Sequence, residues 1–172
     1  MGILARILAR ISACMACAAL VLPSPALASD GYAPVTFDMA SWGRRLAHWQ
    51  LDAANSGEFW RVVEGGNGQP GEIRKFRFTL DAADASQFTL LLKGLERTVR
   101  GGVKCRRAIT DMAYGSISWT GKKGVRQSYS FDFGCLSAKA NRAIKQVEDI
   151  NALIGNHARL DAAPFAVERP GS

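Results

Sequence analysis

The sequence predicts an α+β fold, an antiparallel sheet with two helices packed on one face. Two stretches, 73–80 and 125–133, alternate apolar and polar side chains with the period of a half-buried strand. Two others, 88–99 and 140–154, repeat apolar residues at the spacing of one helix face. Cys105 and Cys135 bracket a hairpin that a disulfide can close at its base.

The first segment belongs outside the fold. Arg6 and Arg10 make a basic start, 11–22 is apolar, and Ala26-Leu27-Ala28 is an A-x-A cleavage site. Residues 1–28 are therefore expected to be a signal peptide, with an apolar run too short to span a membrane. Ile11-Ser12-Ala13-Cys14 resembles a lipobox, which offers Cys14 as an alternative lipid anchor. Against it, Arg10 stands close before the cysteine and the apolar run continues past it. Cleavage after Ala28 leaves 144 of the 172 residues, with Cys105 and Cys135 as the remaining cysteines and the formal charge falling from +7 to +5. A minimal even cysteine count suits an oxidising compartment, so the mature chain is expected to be periplasmic or extracellular.

Residues 29–155 are expected to form a single domain, and 156–172 a flexible tail. Within it, 29–40 is expected to be a loose lead-in. Met39, Trp42, Leu46 and Trp49 recur at helical spacing, weakened by Gly43; the rival assignment makes 48–52 a strand that turns through Asn55-Ser56-Gly57 into 58–64. Phe59-Trp60-Arg61-Val62-Val63 favours a strand. The glycine-rich run 65–71 has no Gly-Lys-Ser/Thr after it and precedes a strand, so it is a hairpin loop and not a phosphate cradle.

In 73–80, Phe76, Phe78 and Leu80 point one way and Lys75, Arg77 and Thr79 the other. Asp81 or Asp84 caps the first helix, whose face is Phe88, Leu91, Leu92, Leu95 and Val99, ended by Gly101-Gly102. Tyr114–Thr120 and Val125–Phe133 form the hairpin, with Ile117, Trp119, Val125, Tyr129, Phe131 and Phe133 inward and Gln127 as the lone polar member. Closing its base through Cys105–Cys135 contributes roughly 3 to 4 kcal/mol in the chain-entropy account. Ser137 caps a second helix with Ala140, Ala143, Ile144, Val147, Ile150 and Ile154 inward, stopped by Gly155. Strand offsets of 53 and helix offsets of 52 suggest a tandem strand–strand–helix repeat.

Catalytic motifs are missing. Neither His48 nor His157 has a partner at metal-ligand spacing, and no nucleophile or zincin motif is present. No cofactor is implied. Among the carboxylates, Asp111 and Asp132 could meet as an acid–base pair, although Asp111 suits the turn before Tyr114. Basic residues gather instead. Arg74, Lys75 and Arg77 decorate one strand; Lys93, Arg97 and Arg100 follow one helix flank; Lys104, Arg106 and Arg107 come directly after. These nine cations are the candidate binding residues, suited to phosphate or carboxylate. The expected function is an exported, non-catalytic binding or accessory module of a bacterial envelope, facing an anionic polymer or an acidic protein. The alternatives are an inhibitor that inserts loop 65–71 or 121–124 into a hydrolase, and a small hydrolase using a carboxylate pair. Nucleic acid is disfavoured by export and by the lack of a stacking platform on the basic face.

Overall fold

The computed structural model describes residues 32–63, 65, 71–121, 124–160 and 162–169. The expected signal segment and most of the glycine-rich loop lie outside them. Among the described residues, nine strands and two helices follow in chain order: β1 Val35–Ser41, β2 Arg44–Leu51, β3 Ser56–Val63, β4 Glu72–Thr79, α1 Ala82–Val99, β5 Arg107–Ala108, β6 Tyr114–Thr120, β7 Arg126–Asp132, β8 Cys135–Leu136, α2 Ala138–His157 and β9 Ala166–Glu168. Seven strands pair in the order β7-β6-β1-β2-β3-β4-β9, every neighbouring pair antiparallel, and β5 with β8 makes a separate two-residue ribbon.

Strand alternation builds the core. Tyr129, Ile117, Phe37, Trp49, Phe59 and Phe76 stand side by side as one cross-strand row. Phe88, Leu92 and Leu95 of α1 and Val147, Ile150 and Ile154 of α2 are buried in the same cluster, so both helices lie on this face. Each large side chain fully withdrawn from water there contributes about 1.5 to 3 kcal/mol. Trp49 stacks on Phe37 with ring centroids 5.3 Å apart and donates through Nε1 to Asn151 Oδ1 of α2 at 3.1 Å. The inward Gln127 is also explained: its Nε2 donates to Glu96 Oε1 of α1 at 3.1 Å, while Tyr32 donates its hydroxyl to Glu96 Oε2 at 2.9 Å.

The α+β class, the β6–β7 hairpin, both helices and the Cys105–Cys135 bond, with Cα atoms 5.1 Å apart, are as expected. Asp81 caps α1 by accepting from Asp84 N, and Ser137 caps α2 by accepting from Ala140 N.

Five expectations give way, the first being the inward Val125: it precedes β7 next to the hairpin turn and is 60% exposed. The lead-in 29–40 contains most of β1, a central strand, because Val35 and Phe37 already alternate with Thr36 and Asp38. The helical spacing from Met39 to Trp49 comes from two strands and a turn. Trp42 and Gly43 turn the chain at φ of 52° and 73°, and a bulge after Met39 shifts the register by one, so strand positions imitate a helix face. Helix α2 runs past Gly155 to His157, held by buried Ile154 and Ala158. The segment 156–172 is not wholly a tail, since β9 pairs with β4 and Glu168 pairs with Lys75. The tandem repeat, expected at offsets of 53 for strands and 52 for helices, is not confirmed. Buried Ala85, Phe88, Leu92 and Leu95 match buried Ala140, Ala143, Val147 and Ile150 at 55, which is neither 52 nor 53.

Candidate functional site

The nine candidate cations divide between the two sides of the sheet. Lys75 and Arg77 alternate with buried Phe76 and Phe78, so they stand on the face away from the helices. Lys75 is ion-paired, whereas Arg77 has an aromatic neighbour and no ion pair among the described residues. Lys75 pairs with Glu168 and lies 4.3 Å from the Trp60 ring centroid, and Arg77 lies 4.4 Å from that of Phe165. Arg74 pairs with Glu72 at 3.3 Å. Glu72 also accepts from Arg169, and hydrogen bonds from Arg169 and then Arg74 hold its carboxyl below the usual glutamate value. Lys93 is partly buried and already engaged.

The other five come together at the C-terminal end of α1 and the disulfide-tied segment after it. Arg97, Arg100, Lys104, Arg106 and Arg107 are all exposed, and none forms an ion pair among the described residues. Cations here also complement the negative end of the helix dipole. The backbone beneath them is fixed at several points. Lys139 of α2 donates through Nζ to the carbonyls of Arg100 and Gly102 at 2.9 and 2.6 Å, over the turn that Gly101 and Gly102 make at φ of 73° and 83°. Arg106 N donates to Leu136 O at 3.2 Å, Arg107 pairs with Leu136 in the β5–β8 ribbon, and Cys105 is bonded to Cys135. The nearest acid in sequence, Glu96, is occupied by Tyr32 and Gln127. The result is a cationic strip with an anchored backbone and exposed heads without ion pairs among the described residues, suited to polyvalent anions.

Sequence reasoning missed a second feature on the open face. Asp38, His48, Trp60 and Lys75 form one cross-strand row. His48 Nδ1 lies 2.8 Å from Asp38 Oδ1, Arg45 lies 3.7 Å from the same oxygen, and the His48 and Trp60 rings are 4.5 Å apart. Spacings of ten and twelve residues hide this row unless the β1–β2 turn is placed first. Serines and a threonine line the same face on β6 and β7, with Ser116 opposite Ser130, Ser118 opposite Ser128 and Thr120 opposite Arg126.

The carboxylate pair fares less well. Asp132 Oδ1 accepts from Gly134 N at 2.7 Å, and Asp111 sits in a turn at φ of 69°. A shallow depression of about 410 Å³ does hold two acids, Asp52 and Glu58. Asp52 accepts from Ala54 N and Ser56 N at 2.9 Å each, and Glu58 accepts from Trp60 Nε1 at 3.4 Å, so both have structural duties. His157 pairs with Asp84 at 2.8 Å between the helix ends. Among the described residues, no cluster of three or more His, Cys, Asp or Glu is placed to hold a metal, and no helix is long and apolar enough to cross a membrane. No known family, curated protein or solved structure is significantly similar to the chain.

Proposed function

We propose that this chain is an exported, non-catalytic binding module that presents a basic surface to an anionic envelope component, either an acidic polymer or an acidic protein. The observation that carries this reading is the strip Arg97, Arg100, Lys104, Arg106 and Arg107, exposed and without ion pairs among the described residues. Solvating charges on an ordinary surface tend to be interspersed with opposite ones. Here five cations in eleven residues have no such company. Anchoring by the disulfide and by Lys139 supports the same reading, because a preordered backbone lowers the entropy cost of holding a ligand. The strip replaces the wider nine-residue patch: Arg74 and Lys75 are ion-paired, and Arg77, packed against Phe165, stands with them on β4, away from the strip.

The experiment must separate a site from general basicity. Affinity for a linear polyuronate and for polyglutamate is measured by titration calorimetry at fixed ionic strength. The Arg97/Arg100/Arg106/Arg107 charge-reversed variant is compared with one reversed at the exposed Arg44, Arg61, Arg142 and Arg159. Net charge changes equally in both. Loss of binding only in the first supports the proposal, and the polyanion that binds tells polymer from protein. Equal losses reduce the effect to net charge.

One observation favours the inhibitor reading through a different loop from those expected. Trp42 stands 74% exposed at the tip of the β1–β2 hairpin, beside Gly43, whose N–H donates to the Tyr114 hydroxyl at 3.2 Å. An aromatic on a tight turn is a common anchor for a partner's pocket. Hydrolase capture from envelope extract that Trp42→Ala abolishes, with the charge-reversed strip still competent, is the outcome that reading expects.

A further inference from the structure

Among the described residues, β7 pairs with β6 and leaves its other edge unpaired. Gly121 N donates to Val125 O and Phe133 N donates to Ala113 O, both at hairpin positions in register with β6–β7. Odd-numbered residues of β7 thus turn their backbone groups toward β6, and Arg126, Ser128, Ser130 and Asp132 turn theirs outward. The same four side chains are exposed and project from the sheet face opposite the helices.

The sequence of this edge is self-complementary. Arg126 lies three residues before Tyr129 and Asp132 three residues after it. An antiparallel copy centred on Tyr129 sets Arg126 against Asp132 of the second copy, and the converse. It also sets Ser128 against Ser130, and Tyr129 against itself. All four outward-facing residues then fall in hydrogen-bonded pairs, as the ladder requires. Moving the centre to Ser128 or Ser130 keeps the hydrogen-bond parity but sets one charged residue opposite a serine and the other opposite a glycine. Charge therefore selects one register. A protected edge presents charge that repels any copy of itself. This edge attracts one.

We propose that β7 is a self-pairing edge, along which two copies of the chain join antiparallel about Tyr129 to make one continuous sheet. Both charged side chains keep capacity for the contact. Arg126 uses one nitrogen on Ser118 Oγ at 3.1 Å, and Asp132 uses one oxygen on Gly134 N. The edge shares no residue with the cationic strip, and its test reads self-association and not polyanion binding, so the two proposals fail independently.

Sedimentation equilibrium over a concentration series tests it with three samples: the unaltered chain, Arg126→Asp, and Asp132→Arg. The unaltered chain is expected to be a reversible dimer. Each variant sets like charges in both pairs and is expected to weaken self-association by at least about tenfold. An equimolar mixture of the two variants restores both opposite-charge pairs, so it is expected to recover the dimer that neither forms alone. A monomeric unaltered chain at every concentration, or variants that melt normally yet fail to recombine, overturns the proposal. Since Asp132 also serves its turn, a second measurement uses the unaltered chain. Amide exchange at Ser128 and Ser130 is expected to slow as concentration rises, and concentration-independent exchange there also overturns it.

Discussion

Single atoms set several of the tolerances in this molecule. Trp49 is fully buried, and its Nε1–H has one recipient, Asn151 Oδ1. Replacing Asn151 by alanine strands that donor in the core, which costs about 1 to 3 kcal/mol. Urea unfolding of Asn151→Ala is expected to show that loss, and an unchanged midpoint would mean that water or a shifted neighbour satisfies the indole. Gly115 sits in β6 for a similarly local reason. A Cβ there falls 2.0 Å from Asp38 O and 2.7 Å from Phe131 Cζ, so the ring of Phe131 occupies the space a side chain would take. Gly57 stands in the same relation to Gln50 O and Phe78. Gly115→Ala forces backbone or ring to move and is expected to cost roughly 1 to 3 kcal/mol. Thermal melting of the variant checks it, and wild-type stability contradicts the packing described. Neither glycine could be assigned this role from sequence, because the occupying phenylalanine comes from a neighbouring strand.

Elements show where local pattern suffices and where it misleads. The second hairpin strand, α1 and α2 were legible because each has one buried face and one clear period; their caps, Asp81 and Ser137, are side chains that announce themselves. Strand β1 was hidden by its bulge, and β9 by its length of three residues, which holds too little pattern to recognise. Glu72 helps to hold β9 in place through Arg169, and its lowered carboxyl fixes the sign of the pH response. A depressed folded-state value means that the stabilisation is present above the ordinary glutamate range and lost as pH falls through the depressed value. The Arg169 Nε–H resonance is expected to move in that acidic window and to show no such transition in Glu72→Gln. A transition that persists in the variant assigns the effect elsewhere. Removing the disulfide acts on another element. Cys105→Ser/Cys135→Ser is expected to lower stability by about 3 kcal/mol and to loosen the β5–β8 ribbon beneath Arg106 and Arg107. Calorimetric melting that matches the unaltered chain contradicts it.

At the scale of the whole molecule, the sheet divides the chemistry into two sides. Arginines close in sequence looked like one patch, yet strand alternation sends Lys75 and Arg77 to the face away from the helices, while Arg97 to Arg107 project from the helix end and its ribbon. Fold class followed from periods read along the chain, but the site needed partners, and partners such as Glu168 for Lys75 or Asp38 for His48 are cross-strand facts. What sequence could establish was which cations exist. What it could not establish was which of them are already neutralised. Amide exchange mapped across the chain with and without saturating polyuronate tests the central claim most directly. Protection confined to 97–107, with β3 and β4 unchanged, is the predicted result; protection centred on Trp60, Lys75 and Arg77 with none at 97–107 would contradict it.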